Sequence, residues 1–299
     1  MTDTRLRRHA LGFLEVVDRP TPAELSDYYE RQYYQSERGS FRKEYPPDEL
    51  ACINLRIELR TAQALAFRQS TGRGRLLDVG CGEGFVLSRF AKEGWRVEGI
   101  DFSMAGVEEM NPDMAPFVEQ GDIFRLLEAR MSRGTQYDLV WLGNVLEHVL
   151  DPVGLMHSLR RLVRSDGVLV VTVPNDGTSY HEGLFSDGLI DRRFWVAIPD
   201  HMSYFSAESL RNISEATAWN VGALLGDFPI DLFLANPASN YVNDSSKGPH
   251  AHAARLRLEA IIGAKGPEAA NRFYSSLADV GLGRNLTAIL RPKHQGNPT

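Results

Sequence analysis

Three glycines at alternate positions, Gly80-Cys81-Gly82-Glu83-Gly84, interrupt the apolar run Leu76-Leu77-Asp78-Val79 and lead straight into Phe85-Val86-Leu87. A buried strand that breaks into such a turn and then opens a helix has few ways to fold. It leaves backbone N–H groups and the positive end of a helix dipole at the carboxyl end of the strand, a place suited to an anionic or carboxylate-bearing ligand. Glycine at 80, 82 and 84 admits positive φ and lets a ligand approach the backbone closely. The turn alone does not name the ligand.

Downstream, the pattern alternates. Strands are expected at 75–79, 96–100, 117–119, 137–142 and 168–173, separated by helices at 85–93, 103–110, 123–131 and from Asp151-Pro152 to about 163. This is the signature of an α/β fold: parallel strands joined by right-handed crossovers, with helices on both faces and ligands bound beyond the carboxyl ends of the strands. After Pro174 the rhythm is lost over 175–205. A helix capped by Ser206 and a strand at 219–225 follow, then helical runs at 250–263 and 267–279. The closing strand, 285–290, alternates like an edge strand. Both aperiodic stretches leave the sheet on the ligand side, so insertions at about 175–205 and 228–283 should roof the site.

Upstream, Thr21-Pro22-Ala23-Glu24 carries a cap residue, a proline at the first helical position and a glutamate at the third. The helix it starts bears Tyr28, Tyr29, Tyr33 and Tyr34, which either pack it to the core or cover a cofactor. A second helix is expected after Pro46-Pro47-Asp48, running to about Gln69, with Leu50, Ile53 and Ile57 on one face. The organisation is thus an N-terminal helical segment or lid, 1–70, and one domain, 71–299. A net charge of −6 gives no electrostatic footprint for nucleic acid, and two cysteines give neither a disulfide framework nor a zinc spacing. No apolar run reaches the roughly 20 residues of a membrane span. The expectation is a soluble cytoplasmic protein with no nucleic-acid or membrane partner; a homodimer is left open.

Two acids give the turn its meaning. Asp101 ends the second strand about 20 residues past the first glycine, where a carboxylate can accept both hydroxyls of a ribose. Asp122, after the third strand, can accept from an adenine amino group or simply cap a helix. Phe102 and Ile123 flank the ring position. The turn lacks the G-x-G-x-x-G spacing of a nicotinamide dinucleotide site and the Gly-Lys-Ser/Thr ending of a P-loop.

Together, Asp78-Val79-Gly80-Cys81-Gly82-Glu83-Gly84, Gly99-Ile100-Asp101 and Gly121-Asp122-Ile123 resemble the first three motifs of class I S-adenosylmethionine-dependent methyltransferases. The stretch Asn144-Val145-Leu146-Glu147-His148-Val149-Leu150-Asp151-Pro152 is similar to the branch with ubiquinone-pathway O-methyltransferases and bacterial sugar and natural-product methyltransferases. The resemblance covers roughly 70–225. It implies a Rossmann-like, seven-stranded sheet in the order 3-2-1-4-5-7-6, with the last strand antiparallel. It also implies S-adenosyl-L-methionine as cofactor. Asp78, Gly80, Cys81, Gly82 and Gly84 would hold the methionine part, Asp101 the ribose, and Asp122, Phe102 and Ile123 the adenine, with Asn144 near the sulfonium.

The acceptor side is less constrained. An acceptor carrying a proton benefits from a general base. His201, beside Asp200, is the first candidate, His148 the second and His181 the third; each can equally be structural. Relatives of the ubiquinone branch often carry Glu-x-x-Glu-His and can bind a divalent metal, but Asn144 occupies the first position here, so no metal is expected. Arg192, Arg193 and the nearby aromatics could bind an anionic or sugar-like acceptor, or pair at the surface. The expected function is methyl transfer to a hydroxyl of a sugar-type or natural-product small molecule. A non-catalytic S-adenosylmethionine-binding regulatory module is the alternative.

Overall fold

The structure is a computed structural model that describes residues 3–21, 24 and 44–293. Its order is β1 (Leu6–Arg8), β2 (Leu14–Val16), α1 (Pro47–Phe67), β3 (Arg75–Val79), α2 (Phe85–Lys92), β4 (Arg96–Asp101), α3 (Ala105–Met110) and β5 (Val118–Gln120). Then come α4 (Ile123–Ser132), β6 (Tyr137–Gly143), α5 (Pro152–Leu162), β7 (Val163–Pro174), α6 (Ser179–Ser186) and β8 (Ser203–Tyr204). The chain ends with α7 (Ala207–Ala216), β9 (Trp219–Gly226), α8 (Gly248–Gly263), α9 (Pro267–Asp279) and β10 (Asn285–Pro292).

Seven strands form one sheet in the order β5-β4-β3-β6-β7-β10-β9. β10 runs antiparallel to both neighbours, and the pairs among β3 to β7 are parallel. This is the 3-2-1-4-5-7-6 arrangement of the sequence reading. Its central strands read as near-continuous apolar runs because both faces are covered. On one face Leu77, Val79, Val140, Leu142, Leu169 and Val171 pack with Leu155 and Leu159 of α5 and Leu210 of α7. On the other, Leu76, Leu139, Trp141, Val168 and Val170 meet Ile57 and Ala64 of α1 and Leu87 and Phe90 of α2. Burying each such leucine contributes about 1.5–3 kcal/mol.

Two expectations are corrected. β10 does not lie at an edge: it is hydrogen-bonded on both sides, and its alternation reflects two buried faces of unequal bulk. Within the segment expected to be helical, residues 6–16 form a β-hairpin instead, turned at Gly12 with φ +93°. Its second strand pairs with Ser203–Tyr204, giving a three-stranded sheet β1-β2-β8. Leu14, Val16, Met202 and Tyr204 cluster there, so the hairpin exists because the first insertion completes it. The start at Thr21 is as expected: Glu24 accepts from the Thr21 N–H and hydroxyl, and Thr21 Oγ1 accepts from the Glu24 N–H. Tyr28, Tyr29, Tyr33 and Tyr34 lie outside the described residues. Among the described residues no helix is long and apolar enough to cross a membrane.

Both insertions leave the carboxyl edge of the sheet and pack on each other through Leu184, Ile190, Trp195, Leu234 and Val242. The second is braced to α1 by Glu259, only 1% exposed, which accepts from Arg56, Arg255 and the Cys52 thiol. Glu259→Ala would leave a largely buried guanidinium unpaired. A loss of about 3 kcal/mol in denaturant unfolding is expected, and a change within about 0.5 kcal/mol, the range of ordinary surface substitutions, would show that the brace is dispensable.

Candidate active site at the carboxyl edge of the sheet

The glycine turn is tied down by its neighbour strand. Gly80 and Cys81 N–H donate to Ile100 O at 2.8 and 3.2 Å, and Gly84 N–H donates to Cys81 O at 2.9 Å. Gly82 N–H donates to Asp101 Oδ2 at 2.7 Å, and Ser103 N–H to Asp101 Oδ1 at 2.9 Å. The sequence reading offered these turn amides to a ligand; most are spent inside the protein. Glycine is still required. Gly80, Gly82 and Gly84 have φ of +70°, +51° and +74°, and a Cβ on Gly80 would stand 2.4 Å from Val145 Cγ2. A Cβ on Gly82 would meet nothing within 4 Å among the described residues. The Cys81 side chain, 8% exposed, packs into the core beside Leu87 and Trp141, leaving only its backbone to face a ligand.

Asp78 and Asp101, 3% and 4% exposed, end neighbouring parallel strands. Asp101 has backbone donors; among the described residues Asp78 has no hydrogen-bond donor. Burial first, and then the charge of Asp101, push the Asp78 carboxyl up to about 8. Burial thus favours the protonated form of Asp78 in the free protein. At the next strand end Phe102 is half-buried. Asp122 caps α4 by accepting from Arg125 N–H at 2.9 Å, and Ile123 packs partly buried behind it. Asn144, exposed and at φ +54°, follows β6, its N–H held by Thr172 O at 2.9 Å. Asparagine tolerates this left-handed conformation better than most residues. The glycine turn, the Asp101 carboxylate and a second buried acid, Asp78, thus stand together at the ends of two neighbouring parallel strands.

Past Asn144 the structure gathers two of the three predicted histidines. Glu147 O accepts from the N–H groups of Met202 and Ser203 at 2.7 and 3.0 Å, docking the first insertion onto the loop after β6. That places His148 and His201 edge to face, ring centroids 5.0 Å apart. His148 Nδ1 donates to Asp200 O at 2.8 Å, and its Nε2 faces Glu147 Oε1 at 3.7 Å. Burial opposes charge on this ring, but the carboxylates of Glu147 and Asp200 outweigh it and hold His148 up at about 9. His201 Nδ1 stands 3.5 Å from Asp176 Oδ2, and Asp176 accepts from Arg284 Nη1 at 3.0 Å. Glu147, 1% exposed, has one carboxylate oxygen, Oε2, with no hydrogen-bond partner among the described residues. Glu147, His148 and His201 offer ligand atoms within 4.8 Å of one another, a donor set for a divalent cation.

His181 is elsewhere. It is 2% exposed, stacked on Trp195, with Nε2 at 3.0 Å from Asp231, and it joins the two insertions. Arg193 pairs with Glu182, and Arg192 with Asp191 at the surface, so neither is poised for an acceptor. Asp176 and Arg284 escaped the sequence reading. They lie 108 residues apart, and only the topology brings them together.

The comparisons with known proteins agree with this geometry. A family model described as a methyltransferase domain matches residues 52–223. A ubiquinone biosynthesis O-methyltransferase of Salmonella paratyphi A is 32% identical over 112 residues, 36% of this chain and 45% of that protein. One from Aeromonas salmonicida is 27% identical over 158 residues, 51% of this chain and 65% of that protein. The aligned parts thus span between 45% and 65% of the length of these relatives. Among solved structures, a SAM-dependent methyltransferase from Archaeoglobus fulgidus aligns with a TM-score of 0.51 at 20% identity, over 88% of this chain and 98% of that one. The 1,6-didemethyltoxoflavin-N1-methyltransferase of Burkholderia thailandensis, solved with 1,6-didemethyltoxoflavin and S-adenosylhomocysteine, gives 0.52 at 14% identity, over 97% and 100%. At these identities the structures speak for the fold alone. With the family model spanning more than half its length, and the turn, Asp101 and Asp122 at three successive strand ends, the chain belongs to the class I S-adenosylmethionine-dependent methyltransferases.

Proposed function

We propose that this chain transfers a methyl group from S-adenosylmethionine to a hydroxyl oxygen of a neutral small molecule of sugar or natural-product type. The observation that carries the reading is the meeting of His148 and His201 just past Asn144, on the sheet edge that holds Asp78 and Asp101. Oxygen as the accepting atom is supported by the names of the O-methyltransferase relatives. A neutral acceptor is supported by charge. Around the histidines stand the carboxylates of Glu147, Asp176 and Asp200, and Arg284 is already committed to Asp176.

S-adenosylmethionine supplies a methyl group on a positively charged sulfur, which departs as a neutral thioether. The protein's task is to align the acceptor oxygen behind that methyl and to remove its proton. His201 takes the proton. His148 is suited to hold a positive charge instead, because both its ring nitrogens face oxygen acceptors. Asp176 orients the His201 ring, and Arg284 holds Asp176 in place. The two insertions exclude water from above.

A second reading is favoured by the unpartnered Glu147 Oε2: that oxygen, with His148 and His201, binds a divalent cation that orients the acceptor. Calorimetry of chelator-treated protein with Zn²⁺ or Mg²⁺ separates the two. Saturable binding that Glu147→Gln removes supports the metal reading; no heat with either ion rejects it.

S-adenosylhomocysteine should bind in the micromolar range, and Asp101→Ala should abolish detectable calorimetric binding. Absence of binding to the unaltered protein sinks the methyltransferase reading. Once an acceptor is found by screening for S-adenosylhomocysteine release, His201→Gln should slow turnover at least about 100-fold with cofactor affinity kept. Equal turnover would remove His201 from the mechanism.

Cofactor affinity should also depend on pH. Asp78 carries a proton in the free protein below about 8, and a ligand ammonium beside it favours the carboxylate. The complex then binds fewer protons than the free protein, so raising the pH favours the complex. S-adenosylhomocysteine should bind more tightly from pH 6 to 8, by up to about tenfold per unit, and level off above. Asp78→Asn should flatten the profile. A flat profile in the unaltered protein would show that Asp78 does not sense the ligand.

A further inference from the structure

At the opposite edge of the sheet, where β6, β7 and β9 begin and β10 ends, lies a cleft of ≈ 370 Å³. Its walls include Gln136, Arg160, Arg161, Ser165, Ala218 and Lys293. Three of the lining residues are cationic and none is acidic. That is unusual here, because the chain is acidic overall, with 39 Asp and Glu against 33 Lys and Arg. Elsewhere Arg56, Arg68, Arg75, Arg130, Arg193 and Arg284 each face a carboxylate within 4.0 Å. Among the described residues, no carboxylate reaches Arg160, Arg161 or Lys293.

The cationic groups differ in how firmly they are held. Arg160 Nε donates to Ala218 O at 3.2 Å and Nη2 to Lys293 O at 2.8 Å, with the guanidinium 5.8 Å from the Trp219 ring centre. Burial without a compensating carboxylate lowers its pKa. Lys293 Nζ donates to Glu215 O at 3.3 Å, and Arg161 is exposed on the last turn of α5. A partly buried guanidinium held by two carbonyls, beside an exposed arginine, a lysine and the Ser165 hydroxyl, matches what an oxyanion needs: one pre-oriented fork and further positive charge beside it. The volume is that of a small-molecule site rather than a bare surface dimple.

We propose that this cleft is a second binding site, for a small phosphate-bearing anion, separate from the methyl-transfer edge. Arg160 forms its floor, Arg161 and Lys293 provide the further charges, and Ser165 and Gln136 supply neutral hydrogen bonds. The ligand's negative charge offsets three cations that otherwise repel one another across a concave surface.

Calorimetric titration with pyrophosphate at constant ionic strength tests this, with chloride and citrate as comparison anions. Saturable submillimolar binding of pyrophosphate is expected, weakened on the order of tenfold in the Arg161→Ala/Lys293→Ala double variant. Ser165→Asp, which adds a negative charge to the cleft, should abolish it. Affinity for S-adenosylhomocysteine should stay unchanged in both variants, which shows that they fold and separates this site from the cofactor edge. No saturable pyrophosphate binding, equal binding in the variants, or citrate binding as tight as pyrophosphate would each overturn the proposal.

Discussion

The carboxylate of Asp101 accepts one N–H from the glycine turn and one from its own following loop, and the cofactor edge depends on that pair of bonds. They fasten the loop after β3 to the end of β4, so the two act as one rigid piece. Two backbone amides donate to Asp101 at near-complete burial. Asp78, equally buried, has no such donor among the described residues, and burial first, then the neighbouring Asp101, raise its carboxyl above the usual range. The same pair of strand ends thus bears on both the shape and the electrostatics of the edge.

The second half of the site is built by docking rather than by strand ends. The insertion 175–205 contributes His201, but its position is fixed by two amides on Glu147 O and by the Arg284–Asp176 pair. The insertions also own a small apolar core, and His181 sits inside it against Asp231 and Trp195. A histidine that looked available for chemistry instead serves packing. The polar groups that gather around His148 and His201 come from the loop after β6, from the insertion, and from the start of β10.

How much was legible follows from the range of each interaction. The parallel strands, their helices and the places of the glycine turn and Asp101 at two neighbouring strand ends are written in local periodicity and spacing, and the fold has them there. The hairpin at 6–16 was not, because its strands are three residues long and gain their buried face only from β8, almost the whole domain away in sequence. Nothing local marks β10 as interior either, since a strand alternates the same way at an edge. Asp176 follows a proline in an aperiodic stretch, and its partners His201 and Arg284 come from two other segments. Cys81 lay inside a correctly read motif, yet which way its thiol points depends on the turn's actual φ angles.

The place of β10 has a consequence for how the chain comes together. It is the last of the seven sheet strands in chain order, yet it lies between β7 and β9, which run in the same direction and both pair with it. While the protein is being synthesised, β9 has no ladder to join, and the start of β10 carries the Arg284 that steadies Asp176. The edge with the glycine turn and Asp101 is drawn from the first half of the domain, whereas the pair that holds Asp176 waits for β10. Assembly of the two halves of the site is therefore separated in time by the order of the chain itself.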